Sequence, residues 1–272
     1  MALSRLAHAE VLAMPPERWF LGTRFHALGM AGTLALMQAR DPADPFVFIS
    51  TPNAQHVVRI QQGHAGNGAA NDRAWLSLCD SRVLQRMALL LFGLRLPLVL
   101  GSDLTSALFA GIITPNEPVT VIGGDATLEA ALRDGLGLNR LALFDPPMGF
   151  WRDPAEVERA ADFVATHPAR FVFLACGAPQ SEMLALRIQD RGDATGIGLC
   201  IGASLKFVTG QVLRAPRWIQ RAGLEWLHRL LQEPGRLRRR FLTEQLPVLR
   251  VALNFRLRPG FASNQRRRDL WH

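Results

Sequence analysis

The stretch "PVTVIGGDATLEAALRDGLG", residues 118–137, carries the pattern that decides the fold. Val119, Thr120, Val121 and Ile122 form a short apolar, largely β-branched run that suits a buried strand. Gly123 and Gly124 end it. "DATLEAALRDGLG" then reads as a helix. A strand that breaks at glycine and opens into a helix is half of a βαβ unit.

The same grammar extends in both directions. Upstream, residues 20–40 read as a strand or turn entering a helix. "FVFIS" (46–50) is a strand that runs into the helix of "TPNAQHVVRIQQG", with Thr51 or Asn53 as candidate cap. "GHAGNGAAND" (63–72) reads as a glycine-rich connection and "RVLQRMALLLFG" as a helix. Downstream, "RLALFDPPMGF" (140–150) is a strand and loop, and "PAEVERAADFVATHP" is a helix. "RFVFLACGAPQSEML" (170–184) is strand, turn and helix start, and "ATGIGLCIGASLKFVTG" adds another strand and turn. Strands alternate with helices through residues 45–210, the signature of an α/β domain with a parallel sheet. Residues 211–272 break the alternation. The expected division is therefore an α/β domain over 1–210 and a helical C-terminal appendage over 211–272.

Charge marks the same boundary. Residues 1–210 hold 17 basic and 19 acidic side chains, net −2, whereas residues 211–272 hold 14 arginines and four acids, net +10. The whole excess lies in the last quarter and points to an anionic partner. "RAPRWIQRAGLEWLHRLLQEPGRLRRRF" (214–241) places Trp218, Ala222, Trp226 and Leu230 on one helical stripe, with Arg217 and Arg221 beside it. Arginine interleaved with bulky apolar residues suits an interfacial segment on an anionic membrane surface.

Cys79, Cys176 and Cys200 are widely spaced and odd in number, which supports neither a disulfide framework nor a zinc site. No secretory leader is expected from "MALSRLAHAEVLAMPPERWF", and "MALLLFGLRLPLVL" (87–100) is too short to span a bilayer. The expected location is cytoplasmic, peripheral on the inner face of the plasma membrane.

Ligands of open α/β sheets bind where strand C-termini meet loops and helix starts. Three segments fall there. Gly123 and Gly124 form a turn at which backbone can approach a phosphate or ribose, or a purely structural turn. Gly177, Pro179, Gln180 and Glu182 form another, in which Glu182 could instead serve the helix dipole. Thr51 and Asn53 form the third, where capping is the alternative role. Asp80 and Asp103 are acids in apolar surroundings, and Asp103 opens a helix as caps do. The sequence contains no DxD pair and offers no metal site.

Taken together, these motifs resemble the WecG/TagA/CpsF family, glycosyltransferase family 26, from about Phe20 to Phe241. "GQVLRAPRWIQRAGLEWLHRLLQEPGRLRRRF" is similar to the family's C-terminal block almost residue for residue. "TPNA", "GSDL" and "CGAPQSE" resemble three further family segments in the same order.

The resemblance implies a Rossmann-like parallel sheet flanked by helices, with a membrane-docking appendage that completes the site. It implies inverting transfer of a sugar from a UDP-sugar to a polyprenyl-diphosphate-linked acceptor, with no obligatory metal and no cofactor. Asp80, 21 residues before Gly101, takes the place of the family's proposed base. Substrate contacts fall on Thr51, Asn53, Gly101, Asp103, Gly123, Gly124, Gly177, Pro179, Gln180 and Glu182. Arg214, Arg217 and Arg221 would grip diphosphate through paired hydrogen bonds.

The chain departs from the family pattern at Ser81, Leu98 and Ser181, which bears on substrate identity. Two other readings compete: a non-catalytic member of a polysaccharide assembly complex, and a basic nucleic-acid-binding protein. No nucleic-acid-binding signature accompanies the basic tail, so no nucleic-acid partner is expected. Self-association stays open.

Overall fold

The computed structural model describes residues 14–63, 65–212 and 246–257. The chain opens with an antiparallel hairpin, β1 (Glu17–Phe20) and β2 (Thr23–His26), and a helix, α1 (Met30–Ala39). There follow β3 (Val47–Ser50), α2 (Ala54–Gln61), α3 (Ala65–Arg73), β4 (Leu76–Ser77), α4 (Arg82–Phe92) and α5 (Gly101–Gly111). Next come β5 (Val119–Ile122), α6 (Ala126–Ala130), β6 (Leu141–Phe144), α7 (Pro154–Thr166), β7 (Phe171–Leu174) and α8 (Gln180–Arg191). β8 (Ile197–Cys200), α9 (Ser204–Val208) and, further along, α10 (Leu246–Leu257) complete the described chain.

Six strands form one parallel sheet in the order β4-β3-β8-β7-β5-β6. This is the α/β parallel sheet the strand–helix alternation predicts, in the Rossmann-like form the family resemblance implies. Successive side chains of a strand point to opposite faces, so each strand feeds two cores. Ile49, Val121, Phe171, Phe173 and Leu199 pack on one face. Phe48, Ile122, Val172, Leu174 and Cys200 pack on the other. Both faces are covered, which is why these strands read as near-continuous apolar runs.

The connection leaving β5 runs outward to β6, and the one leaving β7 runs the other way to β8. The gap between the C-terminal ends of β5 and β7 is therefore the topological switch point of the sheet, where ligands of such folds sit.

Two expectations need correction. The stretch 63–72, read as a glycine-rich connection, mostly belongs to α3. Packing overrides glycine's poor helix propensity there. α3 lies against α8, and a Cβ added to Gly66 would stand 3.3 Å from Met183 Cγ, so small residues let the two helices approach. The helix expected over "DATLEAALRDGLG" divides into α6 and a π-helical turn, Ala131–Gly135.

Beyond residue 211, α10 packs against α2. Its Val248 and Ala252 are buried in a third core with Phe20, Phe25, Val57, Leu84 and Met87. Its Leu249, Leu253 and Leu257 face outward.

Candidate active site

The sequence candidates that the structure describes fall along one edge of the sheet, at the C-terminal ends of the strands. They gather into two groups.

The first group lies beyond β4, β3 and β8. Asp80 follows β4, and its backbone N–H donates to Pro52 O at 3.1 Å. Its Oδ1 accepts the backbone N–H of Gly101, the first residue of α5, at 3.2 Å. Two hydroxyls stand at the same point. A Cβ added to Gly101 would lie 3.4 Å from Thr51 Oγ1, 3.6 Å from Ser204 Oγ and 3.7 Å from Asp80 Oδ2. Glycine at 101 thus keeps open a small polar space edged by one carboxylate and two hydroxyls. Thr51 is not the cap of α2. It is buried, and its hydroxyl donates to Cys200 O at 3.0 Å, stitching β3 to β8. Ser204 makes the matching bond to Ile201 O at 2.7 Å.

Asn53 is the cap. Its Oδ1 accepts Gln55 N–H at 3.0 Å, and its own N–H donates to His56 Nδ1 at 3.3 Å, closing a capping box. His56 Nδ1 also lies 3.0 Å from Asn53 Oδ1, and its Nε2 lies 3.0 Å from Glu182 Oε1, so the ring bridges the cap and the carboxylate. Glu182 is 4% exposed, and its Oε2 has no hydrogen-bond partner among the described residues. Buried in the first turn of α8, Glu182 ties the Thr51–Asn53 turn to the turn after β7.

The second group lies at the switch point. Gly123 and Gly124 hold left-handed φ angles of 92° and 122°. A Cβ at Gly123 would meet Ala175 C at 3.1 Å and Cys176 N at 3.2 Å. Only glycine lets these two turns run side by side. Gly124 N–H donates to Asp145 Oδ1 at 3.2 Å. Across the gap, Gly177 is also left-handed, the Ala178–Pro179 peptide is cis, and Pro179 precedes α8. Arg59 Nη1 donates to Ala178 O at 3.0 Å. The Gln180 amide, turned so that its nitrogen donates, reaches Ala178 O at 3.1 Å and Gly177 O at 3.2 Å.

Asp103 does not cap. It sits in the first turn of α5, whose N-cap residue is Leu100. The departures at 81, 98 and 181 have local explanations. Ser81 caps α4 through Leu84 N–H at 3.2 Å. Leu98 pairs with Cys79 and carries the parallel ladder one step past β4. Ser181 is buried and donates to Leu174 O at 2.8 Å, holding α8 to the end of β7. Arg214, Arg217 and Arg221 lie outside the described residues.

Burial pushes the Cys79 and Cys176 thiols up to about 12, and the Cys200 thiol also well above its ordinary value. All three stay protonated near neutrality, so none is a ready nucleophile. Among the described residues, no three His, Cys, Asp or Glu side chains converge to hold a metal ion.

Sequence reasoning missed His56, Ser204 and Asp145. His56 looked like an ordinary helix residue because its partner lies 126 positions away. Ser204 and Asp145 follow strands β8 and β6, and position at a strand end is the signal that marks them.

A Rossmann-like sheet with polar side chains and glycine turns gathered at its C-terminal edge has the layout in which α/β folds place a ligand site. The sequence matches the model of the Glycosyl transferase WecG/TagA/CpsF family over residues 18–261, nearly its full length. The chain belongs to that family and is a glycosyltransferase of a group that builds cell-surface polysaccharides.

Proposed function

We propose that this chain transfers a sugar, with inversion, from a UDP-sugar to a polyprenyl-diphosphate-linked acceptor, using Asp80 as general base. The observation that carries the reading is the corner at Asp80. A half-buried carboxylate held by Gly101 N–H opens onto a polar space at the edge where α/β enzymes place substrate. Asp80 takes the proton of the acceptor hydroxyl. The hydroxyl oxygen bonds to the anomeric carbon, and the bond from that carbon to the diphosphate breaks on the opposite face. UDP leaves with its charge. In a sequence with no DxD pair, Arg214, Arg217 and Arg221 are suited to neutralise that charge in place of a metal.

On this reading Thr51, Asn53, Gly101 and Asp103 belong to the acceptor and base side. Gly123, Gly124, Gly177, Pro179 and Gln180 belong to the donor side. The segment from 211 onward acts as a peripheral anchor on an anionic membrane, on the face where polyprenyl-linked acceptors are charged with sugar. Among the described residues no helix is long and apolar enough to cross a bilayer.

The test is a panel of UDP-sugars offered to the full chain with lipid extract carrying polyprenyl-diphosphate-linked sugars. Turnover with one donor, persisting in EDTA, is the expected result. A chain ending at Gly260 keeps α10 and should retain most of that turnover. No release of UDP with any donor, or release only with added magnesium or manganese, goes against the proposal.

A further inference from the structure

One carboxylate at the switch point has no part in the scheme above. We propose that Asp145 reads the ribose of the donor nucleotide, accepting hydrogen bonds from its hydroxyls. The inference rests on the donor being a nucleotide sugar, and it adds the group that distinguishes ribose from deoxyribose.

Topology places Asp145. β5 stands at the switch point, and β6 pairs with it on the side away from β7. Asp145 is the first residue after β6, so it comes up beside the Gly123–Gly124 turn, and Gly124 N–H donates to it at 3.2 Å. The two residues are 21 positions apart. In dinucleotide-binding βαβ units, an acid at the tip of the second strand, about 20 residues beyond the glycine turn, takes the ribose hydroxyls. The β5–α6–β6 unit reproduces that relation in strand order, in spacing and in the acid itself.

Charge decides which part of the nucleotide Asp145 meets. An ionised carboxylate only accepts hydrogen bonds, and a ribose diol only needs acceptors for its two protons. A diphosphate beside it would be repelled, so the phosphates belong on the other flank of the glycine turn, toward Cys176 and Gly177. Asp125, four residues into the same turn-and-helix stretch from Val121, offers a contrast: its Oδ1 is the N-cap of α6, bonded to Leu128 N–H at 2.8 Å. Asp145 is exposed and forms no ion pair among the described residues. Its bond to Gly124 uses one oxygen and orients the other.

The experiment titrates UDP, ADP and GDP, with their 2′-deoxy and 3′-deoxy analogues, into the full chain by calorimetry, alongside Asp145→Ala and Asp145→Asn. Hydrogen bonds to a charged group set the expected scale. Removing the read hydroxyl should weaken binding of the preferred nucleotide by roughly tenfold to a hundredfold in the unaltered protein. Asp145→Ala should weaken the ribonucleotide by a similar factor and become indifferent to the missing hydroxyl, while Asp145→Asn keeps part of the preference. Equal binding of ribo and deoxy forms by the unaltered chain overturns the inference, and so does a preference that survives in Asp145→Ala. Either result leaves the nucleotide-sugar reading standing. Failure of every nucleoside diphosphate to bind overturns both.

Discussion

The two ends of the sheet's C-terminal edge are built on opposite plans. Beyond β4, β3 and β8, the edge is made of side chains, each committed to a hydrogen bond: Asp80 to Gly101, Thr51 to Cys200, Ser204 to Ile201. Beyond β5 and β7, it is made of bare backbone, with left-handed glycines at 123, 124 and 177. A proton transfer needs one group held within a few tenths of an ångström, and a fixed side chain provides that. A diphosphate needs close approach and many donors, and glycine turns provide that. On the function proposed above, the residue types at the two ends suit a division of labour between base and donor.

The largest expected effect tests whether the two ends are separable. Asp80→Asn should reduce turnover by ~10²–10⁴-fold, the usual contribution of a positioned base. Affinity for UDP should change little in the same protein. If calorimetry shows affinity falling along with turnover, the corner at Asp80 also holds the donor and the comparison fails.

Next comes the link between the ends. His56→Ala removes the partner of Glu182 Oε1 and opens the capping box at Asn53. Leaving a buried acid without its hydrogen bond should cost about 2–3 kcal/mol, read as a lower urea midpoint. His56→Gln, which can still donate to Glu182, should recover part of it. An unchanged midpoint would mean the two ends are held together without the His56–Glu182 pair.

Gly123→Ala should destabilise by about 1–3 kcal/mol, because the new Cβ needs a left-handed φ and presses on the backbone of Ala175 and Cys176. It should also weaken UDP binding. At Gly124 the first obstacle is Leu128 Cδ2, a side-chain tip that can swing aside, so Gly124→Ala should lose less stability. Equal losses at both positions would remove the close approach of the two turns as the reason for glycine at 123.

The smallest effect concerns pH and lies away from both ends. His26 is buried, and its Nδ1 accepts Ser77 N–H at 2.9 Å, so burial holds its folded pKa below the ordinary 6.5. The unfolded chain therefore binds a proton there before the folded one does. Stability should be level above about pH 6.5 and decline as pH falls from there toward the folded value. His26→Gln should flatten that part of the pH–stability curve, and a curve of unchanged slope would assign the decline to other groups.

Much of this was legible in the amino-acid order. β3, β5 and β7 announce themselves as β-branched or aromatic runs that end at turn residues, and the glycines at 123 and 124 mark where the backbone must turn. Asp80 stood out because an acid in "LSLCDSRV" has no local reason to be there. Other features depend on pairings that no local window holds. α3 exists because α8 lies against it, not because "GHAGNGAAND" favours helix. His56 meets Glu182, and Thr51 meets Cys200, across more than a hundred residues. The placement of Asp145 beside Gly124 needs the strand order, which periodicity does not encode.

That strand order also carries a consequence for assembly. β8, the last strand among the described residues, lies between β3 and β7 and, among those residues, is the strand that joins β3–β4 to β7–β5–β6. During synthesis the β5–β6–β7 portion can pair as soon as it emerges, but the sheet stays in two pieces until residues 197–200 arrive. The keystone is narrow: a Cβ at Gly198 would lie 2.4 Å from the Phe46 ring. The Thr51–Cys200 bond cannot form before β8 is seated. On the function proposed above, the donor end would be built early and the corner around Asp80 finished last, so an incompletely folded chain would hold a nucleotide before it could spend one.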